Sequence, residues 1–130
     1  MIEFRKVKKK SKKDCSLYFF NSIRSFIKRP ERVFYLSSNK MCIRGNHAHK
    51  VCNQFFLPIN DSIKIEIDNG KIKKKVMLKP NKIYKIKPLI WVKVFLKKRQ
   101  SVVVFCDKKY SGKEYIKDYK KFKKLTNFTN

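Results

Sequence analysis

No run of apolar residues in this chain approaches the roughly 18 needed to cross a bilayer, which excludes a membrane-spanning helix. No apolar segment follows the basic start in the manner of a secretion signal. None of the four cysteines (Cys15, Cys42, Cys52 and Cys106) forms a Cys-x-x-Cys pair, so zinc ribbons and dithiol redox motifs are excluded. Four widely spaced thiols are expected to be reduced core residues of a cytoplasmic protein. Histidine is nearly absent, with two residues in all. Asn53 and Gln54, four and five positions beyond the second one, are neutral amides and weak metal ligands. Metal sites do not usually rest on two imidazoles alone, so no metal is expected and no cofactor is implied. Internal repeats and linkers are also missing.

What is present is positive charge. Across 130 residues, 35 Lys and Arg face 9 Asp and Glu, a formal net charge of +26. Such a balance attracts polyanions: nucleic acid, an anionic membrane surface or phosphorylated small ligands. The excess is mainly lysine, as in Lys8-Lys9-Lys10 and Lys73-Lys74-Lys75. Arginine, the better geometric reader of phosphate and base edges, is scarce. Nucleic-acid binding through charge alone is therefore expected to be non-specific. At 42% apolar and 14% aromatic residues the chain can build a core, and its length suits one domain. Residues 14–130 form that domain, and the basic stretch through Lys13 shows no period and is expected to be loose.

Short strands dominate. Arg32–Leu36 and His47–Leu57 are rich in aromatic and β-branched residues. Ile63, Ile65 and Ile67 alternate with Lys64, Glu66 and Asp68, the pattern of a half-buried strand. Asp68-Asn69-Gly70 signals a hairpin turn, and Lys71–Leu78 returns from it. Lys82–Ile86, Trp91–Leu96 and Ser101–Cys106 continue the series. After Asp107, Tyr115, Ile116, Tyr119 and Phe122 recur at helical spacing and predict one short C-terminal helix. The fold class is all-β, a compact barrel or sandwich.

Both histidines fall in Arg44-Gly45-Asn46-His47-Ala48-His49-Lys50. Residues at i and i+2 of a strand share a face, so His47 and His49 should project side by side. Imidazole is the side chain best suited to move a proton near neutral pH. An inward face of a small barrel can line a ligand cavity, and Tyr35 lies on a preceding strand.

These pieces together resemble a known family, the cupin-fold sugar-nucleotide 3,4-ketoisomerases, also described as WxcM-like proteins. The resemblance runs from about Cys15 to Lys124. Its carriers are Arg32-Val33-Phe34-Tyr35, the Arg44–Lys50 string with Gln54, and Asp68-Asn69-Gly70. Pro80, Ile83-Tyr84, Pro88-Leu89-Ile90-Trp91, Asp107 and Tyr115-Ile116-Lys117-Asp118-Tyr119 with Phe122 complete it. The resemblance implies a cupin jelly roll acting, without metal, on thymidine-diphosphate-linked 4-keto-6-deoxyglucose in deoxysugar and surface-polysaccharide biosynthesis. A base removes the proton on C3, an enediolate forms, and a proton returned to C4 leaves the carbonyl on C3. His47 and His49 would be the base and proton-relay pair, with their order left open. Arg44 would hold the diphosphate or the developing charge, Tyr35 would donate to a sugar oxygen, and Gln54 would contact substrate. A homodimer exchanging N-terminal strands is likewise implied, with Leu17-Tyr18-Phe19-Phe20 as its apolar run.

The chain departs from the family pattern at Asp14-Cys15, Asn21, Asp61 and Val92, which leaves the central string intact and alters the rim. Two other classes compete: a degenerate cupin retained as a binding module, and a small basic β-barrel that stacks nucleic-acid bases on aromatics.

Overall fold

Ile63, Ile65 and Ile67 are fully buried, while Lys64 between them is exposed, as a strand with one face on the core requires. The same logic repeats along the chain. The computed structural model describes residues 1–127. Its strands are β1 (Ile2–Lys6), β2 (Lys8–Lys12), β3 (Cys15–Phe19), β4 (Arg32–Ser37), β5 (Cys42–His49) and β6 (Gln54–Pro58). They continue as β7 (Ile63–Asp68), β8 (Lys73–Leu78), β9 (Lys82–Ile86), β10 (Trp91–Leu96), β11 (Ser101–Cys106) and β12 (Tyr115–Ile116), followed by helix α1 (Tyr119–Asn127).

Two antiparallel five-stranded sheets form the body, in the orders β1-β9-β6-β11-β4 and β12-β5-β10-β7-β8. They stack as a sandwich and do not close into a barrel. The core between them is built from Phe56, Tyr84, Val92, Val94, Val102 and Val104 with the three isoleucines. Strands β2 and β3 pair only with each other, and that hairpin is almost wholly exposed. The Asp68-Asn69-Gly70 turn is present. Gly70 takes φ +94°, and Asn69 Oδ1 accepts hydrogen bonds from the amides of Lys71 and Ile72.

Three local expectations are corrected. His47–Leu57 is not one strand: it breaks at Lys50–Asn53, where the carboxylates of Glu114 and Asp107 capture the backbone amides of Val51, Cys52 and Asn53. Tyr115 and Ile116 are not helical but pair with His49 and Ala48 as an edge strand. The helix starts later, where Asp118 accepts from the Lys120 amide at 2.9 Å in the manner of an N-cap. The basic start, expected to lack regular structure, also contains a strand. Ile2 packs on the core, Phe4 lies against Tyr84, and β1 runs in register with β9.

On the outer face of the second sheet, α1 buries Phe122 against Trp91, Ala48 and Ile116. Trp91 is thus packed beneath the helix, on the face opposite its neighbour Val92, which lies in the core.

Candidate active site

On a regular strand Arg44 and His47 would face opposite sides. Pairing between β5 and β10 slips, however: Val92 is opposite His47 and Lys93 opposite Gly45, which leaves Asn46 unmatched. Gly45 at φ +79° and Asn46 at φ +61° make this bulge. A Cβ at position 45 would sit 2.9 Å from the Val92 carbonyl oxygen, so the close approach also demands glycine. The extra residue turns Asn46 to the outer face, where its Oδ1 accepts from the Trp91 indole N–H at 3.0 Å. Arg44 and His47 both come to line one cavity.

That cavity has a volume of about 300 Å³. Its polar lining is Arg32, Arg44, His47, Gln54, Tyr110 and Tyr115, set among Phe34, Leu36, Phe56, Val92 and Val94. The Arg32 guanidinium donates to the Tyr115 hydroxyl at 3.0 Å and lies over the rings of Phe34 and Tyr110, at 4.7 and 5.1 Å. Two guanidinium groups on one apolar-walled cavity suit an anion such as a phosphate.

His49 stands beside His47, ring centroids 5.2 Å apart and nearly perpendicular. Tyr115 packs on both, at 4.7 Å from His47 and 4.5 Å from His49. His47 lines the cavity, whereas His49 is buried next to it. Nδ1 of His49 is 2.5 Å from Glu114 Oε2. Glu114 Oε1 accepts from the amides of Val51 and Cys52, at 2.7 and 2.8 Å. Burial alone would raise the Glu114 carboxyl; the Val51 amide, His49 and the Cys52 amide outweigh it and hold the group below its ordinary range. Burial, and next the adjacent His49, push His47 down to about 4, so at neutral pH it is an uncharged imidazole able to accept a proton.

Of the residues expected from sequence, His47, Arg44 and Gln54 line the cavity and His49 adjoins it. Tyr35 does not. It is 73% exposed on the other face of β4, because Arg32, Phe34 and Leu36 take the inward positions of the pleat. Among the altered rim positions Val92 lines the cavity, while Asp14, Cys15 and Asn21 are exposed and absent from its wall. The residues that sequence reasoning passed over are Arg32, Tyr110, Tyr115 and Glu114. Arg32 had a signal, since it shares inward parity with Phe34 and Leu36. Glu114 had none: it meets His49 only through the pairing of β12 with β5. Among the described residues no group of three or more His, Cys, Asp or Glu is placed to hold a metal ion.

The family model described as FdtA: WxcM-like, C-terminal, matches residues 1–127. A search of curated proteins returned no match. Among solved structures, WlaRA of Campylobacter jejuni, a TDP-fucose-3,4-ketoisomerase, is 30% identical with a TM-score of 0.83, covering 98% of this chain and 96% of that one. QdtA of Thermoanaerobacterium thermosaccharolyticum, a sugar 3,4-ketoisomerase solved with TDP, is 24% identical at a TM-score of 0.89, with coverages of 98% and 96%. A 3,4-ketoisomerase of Helicobacter canadensis is 24% identical at 0.84, with 97% of each chain covered. The last two establish the shared sandwich, and the family match, spanning both histidines and the Tyr115–Tyr119 segment, adds ancestry: this chain belongs to the WxcM-like FdtA family.

Proposed function

We propose that the protein is a nucleotide-sugar 3,4-ketoisomerase, taking a thymidine-diphosphate-linked 4-keto-6-deoxyhexose and moving its carbonyl from C4 to C3. The observation that carries this reading is the packed His47–His49 pair at a cavity holding Arg32 and Arg44, in a chain of this family. A variant of QdtA, 22% identical to this chain, was solved with TDP-4-keto-6-deoxyglucose, which supports the substrate class.

The carbonyl at C4 acidifies the C3 hydrogen. One imidazole takes that proton and the C4 oxygen gains enediolate charge beside an arginine. The C3 hydroxyl proton then passes to the C4 oxygen and an imidazole returns a proton to C4, which leaves a carbonyl at C3 and a hydroxyl at C4. Atoms and electrons balance within the sugar, so no redox cofactor is required. Arg32 and Arg44 divide the diphosphate and the enediolate between them, and Gln54 offers an amide to the sugar. Tyr110 and Tyr115, not Tyr35, supply phenols to the cavity.

A homodimer belongs to the same reading. It is supported by the projecting β2–β3 hairpin, where Leu17 and Tyr18 are exposed and neither strand joins the two main sheets. No helix among the described residues is long and apolar enough to cross a membrane. Four free thiols and a nucleotide-linked substrate support a cytoplasmic setting.

The test is incubation with TDP-4-keto-6-deoxyglucose, with the sugar followed by NMR. The expected product carries its carbonyl at C3. Unchanged substrate with the wild-type protein, in a sample that binds TDP, would favour a binding module instead.

A further inference from the structure

Glu114 is one of nine acidic residues in a chain of net charge +26, and both of its oxygens are committed to neighbours. An ionised carboxylate only accepts hydrogen bonds. The backbone amides of Val51 and Cys52 supply the donors to Oε1. The donor to Oε2, 2.5 Å away, has to be N–H at Nδ1 of His49. A neutral imidazole carries a single N–H, so Nε2 is then a bare lone pair. That atom is buried and has no hydrogen-bond partner among the described residues. The titratable side chains around the ring are Glu114 on one side and His47 and Tyr115 on the other, with Lys117 acting on His47 from beyond β12.

An unpartnered buried nitrogen is costly unless it serves a purpose, and proton transfer supplies one. We infer that Glu114 is the positioning residue of this site: it selects the Nδ1–H tautomer of His49 and keeps the Nε2 lone pair available to accept a proton. When Nε2 takes a proton the ring becomes imidazolium, and the carboxylate already in contact balances the new charge. The same residue clamps the Lys50–Asn53 turn, so the orientation of the ring and the end of β5 are set together. The consequence for turnover rests on the ketoisomerase reading; the tautomer does not.

The substitution Glu114→Gln separates these roles. A glutamine side-chain oxygen can still accept from the Val51 and Cys52 amides. Its NH₂ can only donate to Nδ1, which forces the imidazole proton onto Nε2. Nitrogen-15 NMR of labelled histidine should show Nδ1 protonated and Nε2 bare on His49 in the wild type, with the assignment inverted in E114Q. Turnover by E114Q should fall about 10²–10⁴-fold with KM changed little. Glu114→Asp, which keeps the acceptor, should recover part of that loss. A wild-type His49 protonated at Nε2 overturns the inference, and so does an E114Q variant that inverts the tautomer while keeping its kcat. If E114Q does not fold, the wild-type spectrum still decides the tautomer. A protein with the expected tautomer that leaves every 4-keto nucleotide sugar unchanged would overturn the ketoisomerase reading and leave this assignment standing.

Discussion

Arg32 and Tyr115 lie 83 positions apart in the chain and are joined at the cavity wall by a 3.0 Å hydrogen bond from guanidinium to phenol. The pair links the inner face of one sheet to the edge strand of the other. Hydrogen bonds involving a charged partner contribute about 1.5–3 kcal/mol. Tyr115→Phe keeps the ring that packs on both histidines and removes the acceptor, so kcat/KM should fall at least about tenfold and the melting temperature should drop by several degrees. Arg32→Lys should match it, because an ammonium group cannot reproduce the planar contact with Phe34 and Tyr110. Wild-type kinetics in the phenylalanine variant would dismiss the pair as a determinant of the site.

Gly45→Ala should damage activity more than folding would suggest. The new Cβ meets the Val92 carbonyl at 2.9 Å and the backbone sits at φ +79°. Relief of that clash requires the bulge to straighten, which rotates Arg44 or His47 out of the cavity. The expected outcome is a folded protein destabilised by about 1–3 kcal/mol with turnover lost. A variant that melts early yet retains full kcat at low temperature would show that the bulge does not set the geometry.

Stability should fall on the acid side, with a definite window. Free histidine titrates near 6.5, whereas burial and then the neighbouring His49 hold His47 at about 4 in the folded chain. Between those values the unfolded chain binds a proton that the folded chain refuses, so each step down in pH favours unfolding. Glu114, held below its ordinary 4.5, adds to the loss beneath that value. Thermal unfolding followed from about pH 7 to about pH 4 should show this slope, and His47→Gln should flatten its upper part. Parallel curves for the two proteins would remove His47 from the account.

Metal should be dispensable. His47 and His49 have no third ligand beside them: among the described residues no group of three or more His, Cys, Asp or Glu is placed to hold an ion, and two imidazoles alone rarely suffice. Exhaustive chelation should leave isomerisation unchanged, while stoichiometric metal whose removal abolishes turnover would contradict the scheme.

Association should respond to salt in an unusual sense. Two copies at +26 each repel, so a dimer held by the apolar residues of the β2–β3 hairpin should tighten as ionic strength rises. Binding to DNA or RNA through surface lysines should weaken over the same range. Light scattering at physiological salt should report a dimer, and Leu17→Lys should weaken it. A monomer under those conditions refutes the assembly.

Much of the fold was legible because its signals were local. The Ile63–Asp68 alternation gave a strand with the bounds observed, and the Asn69-Gly70 turn followed from the need for positive φ. The histidine pair followed from a two-residue period. Tyr35 was misassigned because Val33, Phe34, Tyr35 and Leu36 are all apolar or aromatic, so alternation had no contrast from which to choose a face. The bulge at Gly45-Asn46 depends on register with β10, and Glu114 meets His49 across 65 positions. A glycine inside a strand pattern is a bulge signal at Gly45, but the faces it exchanges are set by the register with β10, and Glu114 leaves no nearby trace. The first strand escaped notice because Ile2 and Phe4 are its only apolar positions amid a run of lysines.

Strand β12 is two residues long, yet it covers one side of β5 where His49 sits. On a ribosome, the chain through β11 has everything needed to assemble the sandwich core before any of the residues from Tyr110 to Ile116 emerge. Such a nascent chain holds both histidines but neither the carboxylate that orients one of them nor the ring that packs on both, and its β5 remains open to unwanted pairing. The proposed proton-transfer site and the cover over β5 thus depend on the same late segment. Fragments cut or terminated between Cys106 and Ser111 would be catalytically silent and also the most prone to aggregate.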